Sequence, residues 1–544
     1  MSVENIIKNN QYNIGHICTK LQCDLGNADK IAMRWVSADM KRIDCSFKEL
    51  DDQSNKFANV LQSLGLSKGD IIFTLLPKIP EQFFVLLGAL KLQLIVSPLF
   101  ANFGEGAIFD RMGDACAKAL VTKKSFLKKI SRIKNRLPHL KYIIIVDSEN
   151  NLSSDALSYT TLMQDKANIF ETPLTGKDAP SLLHYTSGST GKPKGVLHVH
   201  GSVVTINQTT KEILDLKEND KYWCTADLGW VTGTSYGMTG PWSCAITQVH
   251  FSGQYSPEAW FTILEKEAVS VWYTAPTALR MLMKEDASLF KKFNLKELRH
   301  ICSVGEPLNP EIIHWSRKVL NKDIYDTWFQ TETGAIMIAN HPGLEIKPGS
   351  MGKPIKGIRA AIITDKGEMA GDDHRSNLCL ESGWASMFVT YFNNEQAYKQ
   401  KFKDGYYYSG DVAFTDKDGY YWFAGRKDDV INTAGHLVGP FEVESALLEI
   451  EEVKEAAVIG APDEILYEKI VAFIKFKPGC VYDKELELKI RVYIANEVST
   501  VAVPQDIVAV ESIPKTKSGK IMRRVLKAQY LGQDAGDLST LEEF

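Results

Sequence analysis

The stretch DIIFTLLPKIPEQFFVLLGALKLQLIVSPLF, residues 70–100, carries the pattern that sets the fold class. Asp70–Leu76 opens it with an apolar run of strand length, Glu81–Lys91 has the length of a helix, and Leu94–Phe100 is a second apolar run. A buried strand, a helix and another buried strand in succession predict a parallel sheet covered by helices. The stretch is also the most apolar in the chain, but Lys78, Pro80, Glu81 and Lys91 interrupt it, so it is not expected to span a bilayer.

The same rhythm extends in both directions. Upstream, Phe47, Leu50, Phe57, Leu61 and Leu64 fall at helical spacing and stop at Gly65, a residue suited to a left-handed cap. Downstream, KALVT (118–122), YIIIVD (142–147), Lys221–Ala226, Val269–Thr274 and His300–Val304 read as further strands. After Pro342 the texture changes. GEMAGDD (367–373), KDGYYYSGD (403–411) and DKDGYYWFAG (416–425) predict hairpins and meandering strands. From Asp428 a final stretch carries its own strands (AAVIG, KIVAFIKF, DIVAVES) and helices (FEVESALLEI, DKELELKIRVYIANEV), enough for an independent core. The expected organisation is α/β. A large N-terminal domain, 1–427, has parallel-rich sheets covered by helices and a β-rich subdomain. A small α+β C-terminal domain, 428–544, is joined to it by a short hinge.

Composition narrows the function classes. The chain has 544 residues, 44% hydrophobic and 24% charged, which excludes a disordered or collagen-like polymer. Its 63 basic and 67 acidic side chains give a net charge of −4, so no global basic field exists to hold nucleic acid or an anionic membrane. Nine scattered cysteines show no disulfide framework and no CxxC pairs. MSVENIIKNNQYNIGHIC lacks the profile of a secretory signal. The expectation is a cytoplasmic protein in a reducing compartment.

YTSGSTGKPKG (185–195) follows the apolar pair Leu182 and Leu183. Three glycines, several hydroxyls and two lysines describe a loop that offers backbone N–H groups, hydroxyl donors and cations to a polyphosphate. It is not a GxxxxGK[ST] loop, because Thr186 stands where the first glycine belongs and Pro193 follows Lys192, which disfavours a kinase of that type. The stretch resembles the phosphate-binding signature of the acyl-adenylate-forming enzymes. TADLGWVTG (225–233), SVGEPLNP (303–310), YDTWFQTETG (325–334), YYYSGDVAF (406–414), GRKDDVINTAGH (425–436) and PKTKSGKIMRR (514–524) agree with that family in order and spacing. TADLGWVTG and DTWFQTETG most resemble the acetyl-CoA synthetases within it.

The resemblance implies ATP-dependent activation of a carboxylate to acyl-AMP with release of pyrophosphate, then transfer to CoA, with ATP, Mg2+ and CoA as the small molecules bound. Carboxylate and triphosphate are both anionic, so the chemistry calls chiefly for charge neutralisation and alignment. Thr186, Ser187, Ser189, Thr190, Lys192 and Lys194 would form the phosphate cradle. Glu332 would serve magnesium, which prefers oxygen ligands and keeps several waters. Thr331 would touch the α-phosphate, and Thr327, Trp328 and Gln330 belong to the same nucleotide-binding block. Gly305, Glu306 and Pro307 resemble the loop along the adenine, and Asp326 the residue at its edge. Asp411 would accept both ribose hydroxyls and Arg426 would donate to ribose and phosphates. Read without the resemblance, Glu332 is a helix cap and Asp411 a turn residue. Lys520 corresponds to the lysine bridging carboxylate and α-phosphate, which suits an ammonium with rotatable donors. It is also the family's acetylation site, which implies a lysine acetyltransferase and deacetylase as partners. Asp428 matches the hinge, and Gly435 the pantetheine channel.

Val231, Thr232, Val304 and Phe329 correspond to the acyl pocket. Where acetyl-CoA synthetases typically carry Trp, this chain has Phe329, which predicts acetate as principal substrate with propionate tolerated. Two departures stand out. Leu437 replaces an Arg usual in that family, and Tyr467 replaces a usual Gly, which is expected to alter a turn. The alternatives are a propionyl or other short-chain acyl-CoA synthetase, an enzyme loading a carrier protein, and a noncatalytic nucleotide-binding regulator. A luciferase-like oxygenase is disfavoured by the small pocket.

Overall fold

The computed structural model describes residues 10–187, 193–433, 436–516 and 520–535. The chain forms two compact units. The first comprises Met1–Gly305, Ser316–Leu344 and Gly383–Gln400; the second comprises Glu306–Trp315, Glu345–Ser382 and Lys401–Phe544.

The decisive stretch folds as read. Ile71–Leu75 and Ile95–Leu99 are adjacent parallel strands, buried along their whole length, with the helix Pro80–Lys91 between them in sequence. Pro80 occupies the first helical turn, where no N–H is needed. The preceding helix, Phe47–Ser63, begins in a capping box in which Ser46 Oγ accepts from the Glu49 N–H and Glu49 accepts from the Ser46 N–H. It ends where Gly65 turns left-handed at φ +76°. Lys91, which interrupts the apolar run, is fully buried between these helices. Its ammonium donates to Asp51 at 2.7 Å, Ser54 at 2.8 Å and Asn55 at 2.6 Å, so the buried charge is compensated.

These strands lie in an eight-stranded sheet ordered Thr390–Tyr391, Pro193–Val199, Pro180–Ser187, Ile95–Leu99, Ile71–Leu75, Ala119–Thr122, Tyr142–Ile145 and Ala156–Ser158. The pair Pro180–Ser187 and Pro193–Val199 is an antiparallel hairpin, and the short strand Thr390–Tyr391 adds antiparallel to its outer arm. The other sheet of this unit is ordered Ile338–Ala339, Ile324–Trp328, His300–Val304, Val271–Thr274, Lys221–Cys224, Thr247–Phe251, Ile31–Val36 and Arg42–Ser46. It is parallel from Ile324–Trp328 to Ile31–Val36, with an antiparallel strand at each end.

The second unit contains the antiparallel order Ala360–Ile363, Ser376–Glu381, Tyr406–Thr415, Tyr421–Arg426 and Ser350–Pro354, the meander expected after Pro342. It also contains a five-stranded sheet built on the long pair Val453–Asp463 and Tyr467–Phe476. The helices Pro440–Leu448 and Lys484–Glu497 pack on this sheet over a core that includes Val443, Leu447, Val458, Ile470 and Ile490. Tyr467 adopts φ +71°, a left-handed backbone that suits glycine, and its side chain is 72% exposed. All nine cysteines are unpaired, and Cys116 is the one exposed. No helix among the described residues is long and apolar enough to cross a membrane.

Candidate active site

In the first unit, the arms of the phosphate loop are the two strands of the hairpin. Thr186 faces Lys194 and Ser187 faces Pro193 across it. Ser189, Thr190 and Lys192, at the tip, lie outside the described residues. The Lys194 ammonium stands over the Tyr391 ring, 5.6 Å from its centre. The Tyr391 hydroxyl donates to a carboxylate oxygen of Glu332 at 2.7 Å. A cation from the loop and a carboxylate from a remote turn therefore meet on one tyrosine, which sequence reasoning did not single out.

Glu332 belongs to a turn and caps no helix. Gln330 N–H donates to Thr333 Oγ1 at 2.9 Å, and Gly334 N–H donates back to the Gln330 and Thr331 carbonyls. A Cβ at Gly334, which sits at φ +72°, would lie 2.4 Å from the Ser386 carbonyl oxygen, so only glycine fits. Trp384 and Ser386 both donate to the Thr333 carbonyl, and the Phe388 N–H donates to that of Glu332. His198, one residue before the end of the hairpin, bonds the Thr331 carbonyl through Nε2 at 2.7 Å. Burial lowers its pKa to about 4, so it is a neutral imidazole donating from Nε2.

Asp326 lies on the strand Ile324–Trp328 and is 6% exposed. Its Oδ1 meets no hydrogen-bond partner among the described residues, and burial pushes its pKa up to about 8. A buried acceptor without a donor is the kind of group a bound ligand completes. On the same strand, Thr327 bonds the Ser303 carbonyl at 2.7 Å, and its Oγ1 lies 2.7 Å from the Tyr273 hydroxyl. Gly305 turns left-handed at φ +94° just after the strand His300–Val304.

Val231 and Thr232 open a short helical turn that continues into a wide π turn, Ser235–Thr239. The wide turn places the buried Tyr236 edge-on to Phe329, with ring centres 5.5 Å apart. The Tyr236 hydroxyl accepts from the Ile336 N–H at 2.8 Å and sits 2.7 Å from Thr209. Val231, Thr232, Val304 and Trp328 are buried, whereas Phe329 is half-buried. Tyr236 is thus a second aromatic that local sequence did not reveal.

In the second unit, Asp411 and Arg426 face each other across the pair Tyr406–Thr415 and Tyr421–Arg426. Arg426 donates to Asp411 Oδ1 at 2.8 Å. The turn reading of YSGD fails, because Asp411 lies inside a strand and its side chain is 4% exposed. Glu306 and Pro307 belong to this unit and are half-buried. Asp428 is exposed in the turn that follows Arg426, where the Asp429 and Val430 N–H groups both return to the Arg426 carbonyl. Gly435 lies outside the described residues.

Lys520 closes a hairpin. Thr516 N–H donates to the Lys520 carbonyl at 2.8 Å, and Lys520 N–H donates to Thr516 Oγ1 at 3.1 Å. The helix Arg523–Leu531 follows, anchored where Arg523 donates to both Glu444 oxygens at 2.6 and 2.7 Å. Lys520 is exposed as a residue, but protein around its ammonium lowers its pKa, and Arg426 adds to the effect. Asp429 and Asp411 oppose it, and Arg523 lowers it further. Its electrostatic neighbours are therefore the Asp411–Arg426 pair, Asp429 and Arg523.

For magnesium, the described residues hold no cluster of three or more His, Cys, Asp or Glu able to bind an ion. Glu332 has one oxygen engaged by Tyr391, and its second suits a hydrated ion carried on nucleotide phosphates. The residues present fit a metal that arrives with its substrate.

The AMP-binding enzyme family matches residues 23–392, and the AMP-binding enzyme C-terminal domain matches residues 442–520. An acetyl-coenzyme A synthetase of Bacillus subtilis is 47% identical over 500 residues, covering 92% of this chain and 87% of its own. One from Methanothrix thermoacetophila is 38% identical over 562 residues, covering 97% and 84%. Among solved structures, an anthranilate CoA ligase in complex with anthranoyl-AMP superposes with a TM-score of 0.87 at 28% identity, covering 96% of this chain and 98% of that one. A Brucella canis acyl-CoA synthetase gives 0.74 at 30% identity, covering 96% and 94%. On these matches the chain belongs to the AMP-binding enzymes, as an AMP-forming acyl-CoA synthetase related to acetyl-coenzyme A synthetase.

Proposed function

We propose that this protein is an acetate–CoA ligase that also accepts propionate. One carboxylate oxygen of the acid attacks the α-phosphorus of ATP, the bond to the pyrophosphate oxygen breaks, and acyl-AMP forms. The CoA sulfur, its proton lost, then attacks the acyl carbon, the bond to the AMP oxygen breaks, and acyl-CoA and AMP leave. Both steps run in either direction once pyrophosphate is retained.

The observation that carries this reading is the meeting of Lys194 and Glu332 on Tyr391, a cation and a carboxylate held together at the base of the phosphate hairpin. Thr186, Ser187, Ser189, Thr190, Lys192 and Lys194 hold the phosphates. Glu332 takes magnesium through its free-standing side, and bound magnesium supplies charge neutralisation at the phosphates. Thr331 and Gln330 line the α-phosphate side. Gly305, Glu306, Pro307, Thr327 and Trp328 hold the adenine, and the partnerless Oδ1 of Asp326 accepts from its amino edge. Asp411, oriented by Arg426, accepts from the ribose hydroxyls. Lys520 neutralises charge between carboxylate and α-phosphate. Its neighbours Arg426 and Asp411 support that role, because they are the residues assigned to the same nucleotide. Val231, Thr232, Val304 and Phe329 enclose the acyl group, and the edge contact of Phe329 with Tyr236 limits its length. Gly435 lets pantetheine approach and Asp428 is the hinge between domains 1–427 and 428–544. Acetylation of Lys520 by an acetyltransferase, reversed by a deacetylase, would remove its charge and halt adenylation. The setting is the cytoplasm.

The test is acid-dependent exchange of labelled pyrophosphate into ATP without CoA, across acetate, propionate, butyrate and hexanoate. The expected order is acetate above propionate, with the longer acids about tenfold or more below, since one methylene in an apolar pocket is worth about 1–3 kcal/mol. Exchange confined to the longer acids would overturn the substrate assignment.

A further inference from the structure

The face of the phosphate hairpin that carries Thr186 also carries two histidines. Alternation along Pro180–Ser187 puts His184 on the same side as Thr186. The register pairs His184 with Val196 and Leu182 with His198, so the two imidazoles are diagonal neighbours on that side. Both residues are 2% exposed. Burial, with His198 adding to it, lowers the pKa of His184 to about 3, so its ring, like that of His198, is neutral.

Each ring reaches a different wall. His184 Nε2 lies 2.8 Å from Thr234 Oγ1. The Thr234 hydroxyl itself donates to the Val231 carbonyl at 3.2 Å, so this bond runs from the His184 N–H to the Thr234 oxygen. His198 instead reaches the Thr331 carbonyl, beside Glu332. The two walls are also joined to each other. Ser235 Oγ donates to the Gly334 carbonyl at 2.8 Å, next to the bond between Tyr236 and the Ile336 N–H. Hairpin, acyl turn and Glu332 turn therefore close a ring of hydrogen bonds, all within the first unit. Val231–Thr234 is a single helical turn running into a π turn, too short to fix its own orientation, so its ties to other elements decide where Val231 and Thr232 stand.

We propose that His184 is a positioning residue for acid selectivity: its bond to Thr234 holds Val231 and Thr232 at the depth that separates acetate from propionate, while His198 serves the nucleotide side through Thr331. This rests on the functional reading above, and it makes the hairpin a divided support with one histidine for each substrate. Leucine in place of His184 keeps the site filled and apolar but takes the donor from Thr234. Glutamine keeps an N–H donor of similar reach.

The experiment measures pyrophosphate exchange with acetate and with propionate, and its dependence on ATP, on the full chain and on four single variants. In His184→Leu the preference for acetate over propionate in kcat/KM should fall by about fivefold or more, a part of what one methylene commands in an apolar pocket, with KM for ATP unchanged. Thr234→Val removes the same bond from its other end and should lose the same preference, so it carries the test if the leucine variant does not fold. The two substitutions together should lose no more than either alone. His184→Gln should keep the preference. His198→Leu should raise KM for ATP and keep the preference. An unchanged preference in His184→Leu and Thr234→Val, or a KM for ATP that rises in step with the lost preference, would overturn this inference and leave the functional reading intact. No exchange with either acid in the unsubstituted protein would overturn both.

Discussion

At the scale of single residues, Tyr467 shows a cost the chain carries. A tyrosine held at φ +71° with its ring in solvent is strained by about 1–3 kcal/mol with no packing in return. Tyr467→Gly should therefore stabilise the protein by about 1 kcal/mol in urea denaturation, with activity unchanged. Asp326 carries a cost tied to the role proposed for it. The folded protein keeps its proton until about pH 8, whereas the unfolded chain releases it near 3.8, so stability falls as pH rises through that window and then levels off. Asp326→Asn should remove the slope and gain about 2 kcal/mol or more at pH 8, while reducing the thermal shift that ATP produces. Lys520 is judged by its half-reactions. Lys520→Ala should lower pyrophosphate exchange by about 100-fold or more and leave thioester formation from acetyl-AMP nearly unchanged, since the role proposed for it neutralises charge only in the first step. Equal loss in both would contradict its role.

At the scale of elements, the hairpin Pro180–Val199 does more than present a loop. Its outer arm takes the strand Thr390–Tyr391, and that added strand brings the tyrosine that orients Glu332. Removing one hydroxyl in Tyr391→Phe should raise the magnesium needed for half-maximal exchange and cost about 10–100-fold in rate, with the fold intact by circular dichroism. This element also marks the limit of what the sequence disclosed. The strands and helices of residues 70–100 follow from local apolar patterning, and the candidate residues of the phosphate loop, the Glu332 turn and the Asp411 strand sit in short contiguous motifs. Tyr391 stands 59 residues from its carboxylate and belongs to no motif, so only strand addition reveals it. Tyr236 escaped for a related reason: a π turn rotates it toward Phe329, and a helical wheel drawn at the usual period does not. The YSGD segment misleads in the opposite direction. Gly410 and its neighbours spell a turn, but they form an irregularity within a strand: Tyr408 and Val412 pair on one side of it and Asp411 pairs with Arg426 on the other.

At the scale of the whole molecule, one protein must serve two reactions, and the hinge proposed for that change lies in the exposed turn after Arg426. Asp429 and Val430 both bond the Arg426 carbonyl, and none of the described hydrogen bonds of that turn uses the Asp428 N–H. Proline at 428 therefore breaks no such bond and restricts only rotation. Asp428→Pro should retain one half-reaction and lower the other by about tenfold or more; unchanged rates for both would remove the hinge from position 428. The cysteine inventory has a practical consequence. Every thiol is unpaired and only Cys116 is exposed, two residues from Asp114, which accepts from the hydroxyl of Tyr185 on the phosphate hairpin and, through its carbonyl, from Asn393. A maleimide fluorophore added to the native protein will couple first at Cys116, placing a dye beside the strand that carries Tyr185 with no engineered cysteine.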